Sequence, residues 1–248
     1  MKDTSQGLFV ESIDFQKKEV FVFDWDGTIF DSMLIKLENF SHTLAQMVLA
    51  EMIVDRSTAL ESSIESKIQA WYRQLSGSPR KEIFKAILAK IWVEYHVNPE
   101  LISYAEFSSQ LSVANKKRLI QASLFPDAEV LLAHLIKQAK KLCISSSTPQ
   151  AELDFLVNQR LSSFYLSSMS DVLGSSDGFA KGIEHLSFIA KRFGCSSDSI
   201  LVIGDDLADR DLSSQAKIDC ILVDRENRFI HNSDVCRVNS LDVLGELI

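Results

Sequence analysis

Two aspartates two residues apart close the apolar run Val20-Phe21-Val22-Phe23, giving Asp24-Trp25-Asp26-Gly27-Thr28. Side chains two apart on extended backbone point the same way, so both carboxylates can address one substrate atom. That arrangement suits covalent phosphoryl transfer. Asp24, at the strand end, is placed to attack phosphorus, and Asp26, one step into the turn, to protonate the leaving oxygen and later activate water. Gly27 lets the backbone turn without a Cβ clash. A carboxylate attacking a phosphate dianion meets like-charge repulsion, which a small hard cation with oxygen ligands, Mg²⁺ above all, would offset. The chemistry therefore predicts a second acidic cluster.

That cluster stands in Ile200-Leu201-Val202-Ile203-Gly204-Asp205-Asp206-Leu207-Ala208-Asp209, again a β-branched-rich run ending in glycine and carboxylates. Asp205 is the expected direct Mg²⁺ ligand, and Asp209 is placed to support the metal directly or through water. A third apolar run, Leu142-Cys143-Ile144, ends in Ser145-Ser146-Ser147-Thr148. Its hydroxyls and turn amides are expected to hold phosphoryl oxygens, Ser145 foremost and Ser146 beside it. Lys181 supplies a positive charge 24 residues before Asp205, a distance that one helix and one strand would span to return both to the same sheet edge.

With these residues in order, the chain resembles the haloacid dehalogenase superfamily of phosphohydrolases, in the helical-cap branch of phosphoglycolate phosphatases and β-phosphoglucomutases. The resemblance runs through Asp24 to Thr28, Ser145, Lys181 and Gly204 to Asp209, and Leu124-Phe125-Pro126-Asp127-Ala128 is similar to the family's return from cap to core. It implies that Asp24 is the nucleophile and Asp26 the acid/base. It further implies that Asp24, Asp205 and the Asp26 carbonyl bind Mg²⁺, while Ser145 and Lys181 orient phosphate. Ser76-Gly77-Ser78-Pro79-Arg80-Lys81-Glu82 resembles the cap's substrate-specificity loop, which makes Arg80 an expected second anion contact. Three departures stand out. Gly182 follows Lys181 where proline is common, Asp206 replaces a frequent serine, and Trp25 occupies a position of smaller residues, where it is expected to shape the pocket mouth.

The elements that must position these groups are of two kinds. Strand-like runs at 19–24, 141–145, around 164–168, 200–204 and 219–223 alternate with helical patterns such as Val130 to Ile136 and Ile183 to Phe193. Such alternation predicts an α/β, Rossmann-like parallel sheet with helices on both faces, its ligands at the C-terminal strand ends. From Asp31 to about Ala122 the pattern turns wholly helical, with Ile35, Phe40, Leu44, Met47 and Val48, and later Ile83, Phe84, Ile87, Leu88, Ile91 and Trp92, at helical spacing. The expected organisation is a core of residues 1–31 and 123–248 with an inserted all-helical cap at 32–122. Ser78-Pro79 reads as an N-cap followed by the first helical residue, and Gly194 as a helix stop.

At 248 residues, 46% hydrophobic and 24% charged, the chain can bury one full core plus a smaller unit. Its net charge of −8 and lack of a basic stripe argue against nucleic-acid backbone as the main partner. Residues 32–122 carry 11 Lys+Arg against 9 Asp+Glu, a balance of +2 that leaves −10 for the rest, as suits a cap holding an anion over an acidic site. Met1 to Gly7 shows no signal-peptide character and no run approaches the ~20 apolar residues of a membrane span, so a cytoplasmic protein is expected. Cys143, Cys195, Cys220 and Cys236 are too dispersed for a zinc site or a disulfide framework.

The bland alternatives are few. His42, His96, His134, His185 and His231 show no ligand spacing and are expected to be structural or superficial. Trp71, Tyr72, Trp92 and Tyr95 read as cap core. The expected function is a Mg²⁺-dependent phosphatase of a small phosphorylated metabolite, phosphoglycolate or a sugar phosphate, working through an aspartyl-phosphate. The alternative is a phosphosugar mutase of the β-phosphoglucomutase type, which shares every core residue named. Dehalogenase chemistry, which needs neither Asp26 nor a metal, fits the residues less well.

Overall fold

The computed structural model describes residue 10 and residues 13–52, 58–75, 78–232 and 234–248. Met1 to Gly7 and the Ser76-Gly77 step of the expected specificity loop lie outside the described residues. The chain divides into two compact units, one formed by Met1–Asp31 with Ala122–Ile248 and the other by Ser32–Gln121.

The first unit is an α/β fold. Its strands are β1 (Val20–Phe23), β2 (Lys141–Pro149), β3 (Met169–Ser175), β4 (Ile200–Gly204), β5 (Asp219–Val223) and β6 (Arg237–Val238), all parallel, in the order β3-β2-β1-β4-β5-β6. This is the doubly wound order, in which the chain leaves the central strands in opposite directions. Val20 and Val22 point to the face where Leu186, Ile189, Val202 and Ile218 close one cluster. Phe21 and Phe23, alternating with them, are fully buried on the other face. Near-continuous burial along β1 and β4 explains why both read as unbroken apolar runs.

The second unit is all helical, an inserted cap comprising α1 (Met33–Glu51), α2 (Thr58–Gln74), α3 (Arg80–Tyr95) and α4 (Tyr104–Leu119). Phe40, Leu44, Ile64, Ile68, Ile87 and Phe107 form its core. Phe107 meets Phe40 and Phe84 with ring centroids 4.9 and 4.7 Å apart. Trp71, Tyr72 and Tyr95 pack against this core as expected, whereas Trp92 is half exposed beside His96. Pro79 rather than Ser78 is the N-cap of α3, and the helix begins at Arg80.

The remaining helices belong to the first unit: α5 (Pro126–Lys137), α6 (Gln150–Arg160), α7 (Ser163–Ser168), α8 (Ile183–Phe193), α9 (Leu207–Gln215) and α10 (Asp242–Leu247). Gly194, with φ +61°, ends α8 as expected. Two strand expectations need correction. Residues 163–168 form α7, because the Ser162 side chain caps the Tyr165 N–H and winds Phe164 to Ser168 into helix; the strand begins only at Met169. Ser145 to Thr148 do not form a turn either, since β2 stays extended to Pro149, with an irregularity in its pairing to β3. Among the described residues no helix is long and apolar enough to cross a membrane.

Candidate active site at the C-terminal ends of the central strands

Register alone brings the proposed chemistry together. Phe23 pairs with Ile144 on one side and Ile203 on the other, so the next residues, Asp24, Ser145 and Gly204, stand abreast at the strand ends. The Asp24 N–H donates to the Ile203 carbonyl at 2.8 Å, which extends the ladder by one residue and fixes where the first carboxylate points. Beyond Gly204 the backbone leaves β4 through Asp205 and enters α9 with Asp206 as N-cap. Asp206 accepts the Ala208 N–H at 3.0 Å, and the Asp209 carboxylate accepts the Asp206 N–H at 3.4 Å, a reciprocal capping box. Asp209 is thereby turned back toward Asp205.

Carboxylate oxygens of Asp24, Asp205 and Asp209 all lie within 4.8 Å of one another, and all three residues are buried. Two glycines make room for them. A Cβ on Gly27, which has φ +79°, would come within 2.5 Å of Asp205 Oδ2, and one on Gly204 would overlap the Asp209 carboxylate. Lys181 Nζ sits 2.8 Å from Asp24 Oδ1 and 2.6 Å from Asp209 Oδ1. Asp24, Ser145, Lys181 and Asp209 line one cavity, with Val22 and Leu186 among its apolar walls.

The electrostatics are unbalanced. Burial, followed by the neighbouring Asp209, pushes the Asp205 carboxyl up to about 7. Burial likewise drives Asp24 well above the ordinary carboxylate range, with Lys181 pulling the other way and Asp209, Asp205 and Asp26 adding to the rise. Burial alone would lower Lys181, yet Asp209 and Asp24 outweigh it and raise its affinity for the proton. Buried acids exceed the cation supplied by Lys181, and every donor is a hard oxygen. That set fits a divalent ion of the Mg²⁺ type, with Asp24, Asp205 and Asp209 as the side chains able to hold it.

Other expected residues are placed as follows. The Asp26 carboxylate accepts the Thr148 hydroxyl at 2.9 Å and lies outside the three-carboxylate group, so its place at a metal would fall to its backbone carbonyl. Ser146 is fully buried, with Oγ accepting the Thr148 N–H at 3.1 Å, and does not line the cavity that Ser145 lines. Trp25, expected at a pocket mouth, is buried and stacked on Phe30 with centroids 4.9 Å apart. Arg80 opens α3 in the helical unit, where it donates to Ser112 Oγ at 3.4 Å. All four cysteines are free.

Several residues escaped the sequence reading. Ser145 Oγ lies 2.9 Å from Nδ1 of His185, which is fully buried and pushed down to about 4 by burial, against a smaller opposing pull from the Gly174 backbone. Arg228 pairs with Asp205 Oδ2 at 3.1 Å. Arg225 donates to the carbonyls of Gly27 and Thr28 at 2.9 and 3.2 Å and to Asp127 at 2.8 Å, with its guanidinium 3.8 Å over the Phe125 ring. Partial burial alone would raise Asp127, yet the Leu241 N–H and Arg225 outweigh it and hold the carboxyl below its ordinary value. Both arginines follow the end of β5, and position at a C-terminal strand end was the one available signal. In the helical unit, His42 meets Glu61 and Glu65 with donor atoms within 4.8 Å, which corrects the expectation that no histidine joins a ligand group; two helices must be paired before that grouping is visible.

Solved structures share the fold. A predicted phosphoglycolate phosphatase from Haemophilus somnus is 14% identical with a TM-score of 0.69, over 93% of this chain and 98% of that one. CbbY from Rhodobacter sphaeroides, solved in complex with phosphate, is 16% identical with a TM-score of 0.66, over 92% and 96%. A hydrolase from Pseudomonas syringae is 20% identical with a TM-score of 0.67, over 93% and 98%. No curated protein sequence matches significantly. The model of the family described as haloacid dehalogenase-like hydrolase matches residues 21–223, a span that takes in the strands carrying all three carboxylates and the whole helical insertion, and the chain belongs to that family.

Proposed function

We propose that the protein is a Mg²⁺-dependent phosphatase that hydrolyses a small phosphorylated metabolite, of the phosphoglycolate or sugar-phosphate type, through an aspartyl-phosphate on Asp24. The observation that carries this reading is the convergence of Asp24, Asp205 and Asp209 around one buried point, with Lys181 bridging two of them. Asp24 attacks phosphorus while Asp26 gives its proton to the departing ester oxygen. Asp26, then ionised, takes a proton from the water that attacks the phosphorus of the acyl phosphate, releasing inorganic phosphate and restoring both carboxyl groups. Thr148 orients Asp26 for both transfers through its 2.9 Å hydrogen bond. Lys181 and Ser145 hold the phosphoryl oxygens from the side of β2 and α8. The bound divalent ion would offset the repulsion between carboxylate and phosphate and polarise the phosphoryl group. Arg80 is proposed as the contact for a second anionic group of the substrate, and residues 32–121 as the specificity-determining cap.

The experiment is phosphate release from p-nitrophenyl phosphate and a panel of phosphorylated metabolites, with and without EDTA. Asp24→Asn is expected to lose about a thousandfold or more in turnover, the scale seen when a nucleophile is removed. Full activity in that variant, or activity indifferent to EDTA, would refute the reading. Isomer formation from a sugar phosphate in place of inorganic phosphate would convert it to the mutase alternative.

A further inference from the structure

His185 takes no part in the chemistry set out above, yet it stands in the first turn of α8, four residues after Lys181, and touches the cavity-lining Ser145 directly. Its Nδ1 lies 2.9 Å from Ser145 Oγ, both residues are buried, and the Phe179 ring covers the imidazole with centroids 4.5 Å apart. Its Nε2 is buried with no partner that meets hydrogen-bond geometry, although a Gly174 backbone interaction favours the protonated ring. Burial keeps the ring neutral near physiological pH.

A neutral imidazole has one N–H and one bare nitrogen, so the two tautomers have unequal consequences. With the hydrogen on Nε2, a buried donor lacks a well-aligned acceptor. Nδ1 must then accept the Ser145 hydroxyl, whose only hydrogen is consumed within the protein. With the hydrogen on Nδ1, His185 donates to Ser145 Oγ and only a lone pair is left unfilled at Nε2. Orphaned buried donors are rarer than unfilled acceptors, and the serine hydrogen is left to turn toward the cavity.

We propose that His185 is a positioning residue for Ser145: its Nδ1–H donates to Ser145 Oγ, freeing the serine hydrogen to donate to a phosphoryl oxygen. The identity of the acceptor rests on the phosphatase reading, whereas the tautomer does not. A serine that would otherwise spend its hydrogen on a buried partner thus becomes a directed donor, set by a residue outside the reacting group.

Two measurements test this. Long-range proton–nitrogen NMR of the full chain with labelled histidine, assigned with His185→Asn, should show His185 protonated at Nδ1 and bare at Nε2, both free and with saturating inorganic phosphate. A ring protonated at Nε2 in the phosphate-bound protein overturns the proposal. In kinetics on p-nitrophenyl phosphate, His185→Leu should lower kcat/KM by about tenfold, as expected for one misdirected hydrogen bond, and His185→Asn, which keeps an N–H near the Nδ1 position, should recover most of that loss. In a Ser145→Ala background the leucine change should cost less than about twofold, because its effect passes through the serine. A full tenfold further loss there would mean that His185 acts by packing alone, and would overturn the proposal. If the wild type releases no phosphate from any substrate, the functional reading fails, and the NMR experiment still decides the tautomer.

Discussion

Lys18 is buried and Lys181 largely buried near opposite ends of the same sheet, and their surroundings differ in one respect. Lys18, just before β1, donates to the carbonyls of Asp198 and Ile200 at 2.6 and 3.2 Å and to Asp219 Oδ2 at 2.6 Å. Three donor hydrogens meet three acceptors, and one positive charge meets one negative. Lys181, at the other end, bridges two carboxylates, Asp24 and Asp209, with Asp205 and Asp26 close behind. Lys181, with Arg228 on Asp205, still leaves the acids in excess, and burial and mutual repulsion raise the affinity of Asp24 and Asp205 for protons. Burial with balanced charge ties strands together. Burial with surplus negative charge is costly unless a further cation arrives, and a fold keeps it only where that cation has work to do.

The sharpest way to break this contrast is to remove each lysine in turn. Lys181→Met should reduce kcat/KM by roughly 10²–10³-fold, the scale for losing one preorganised electrostatic contact in a buried site. Whatever stability it loses should return on lowering the pH or adding Mg²⁺, because protons or metal can replace the missing charge. Lys18→Met should do the opposite. It strands two backbone carbonyls and costs roughly 2–3 kcal/mol of unfolding free energy, recoverable by neither treatment, while the folded fraction keeps its turnover. Urea unfolding and steady-state kinetics on the two variants decide the matter, and matching profiles would erase the distinction.

The two lysines also mark what the sequence made visible. Lys181 was found because a lysine 24 residues before Asp205 must return to the same sheet edge if one helix and one strand intervene, and α8 and β4 are those elements. Asp24 and Asp205 were legible because a buried parallel strand is a nearly unbroken apolar run and the first charged residue after it marks its C-terminal end. The balance at Lys18 was not legible, because its partners lie 180 to 201 residues away and two of them are carbonyls of unremarkable residues. His185, Arg225 and Arg228 escaped for the same reason: each acts through contacts with segments distant in the sequence, and spacing carries no record of such contacts. The misplaced third strand is a local failure. Phe164, Tyr165 and Leu166 have strand-like composition, and one serine hydroxyl at Ser162 sufficed to turn them into helix.

A smaller effect sharpens the comparison at the backbone. Gly182, where the family resemblance leads to an expectation of proline, adopts φ +129° as N-cap of α8, and a Cβ there would lie 3.0 Å from Leu212 Cδ2. Proline holds φ near −65°, so this chain delivers Lys181 to the site by a backbone path that proline could not follow. Gly182→Ala should cost about 1–3 kcal/mol of stability, and Gly182→Pro more, with Lys181 displaced and kcat/KM falling in parallel. The corresponding position near Lys18 has no such constraint, and Glu19→Ala, in an extended and exposed stretch, should leave both quantities unchanged. An unaltered melting temperature in Gly182→Pro would show that Lys181 does not depend on this conformation.

The smallest effect concerns the surplus charge itself. Asp205 is raised from 3.8 to about 7, chiefly by burial and then by Asp209. An acid whose folded-state value is raised binds its proton more tightly in the folded protein. Its contribution to stability is therefore complete below the unfolded value and is lost as the pH rises through about 7. A divalent cation that takes the proton's place should cancel this loss. The gain in melting temperature on adding Mg²⁺ is thus expected to be slight near pH 5 and to grow toward pH 8. At tenfold excess over the dissociation constant it should reach about 1.4 kcal/mol, a shift of a few degrees for a chain of this size. Lys18→Met should show the same Mg²⁺ gain as the wild type, because its charge balance lies elsewhere, whereas Asp205→Asn should show little at any pH. A gain that is flat with pH in the wild type, or that survives in Asp205→Asn, would mean that the cation does not enter among the buried acids, and the surplus charge beside Lys181 would need another explanation.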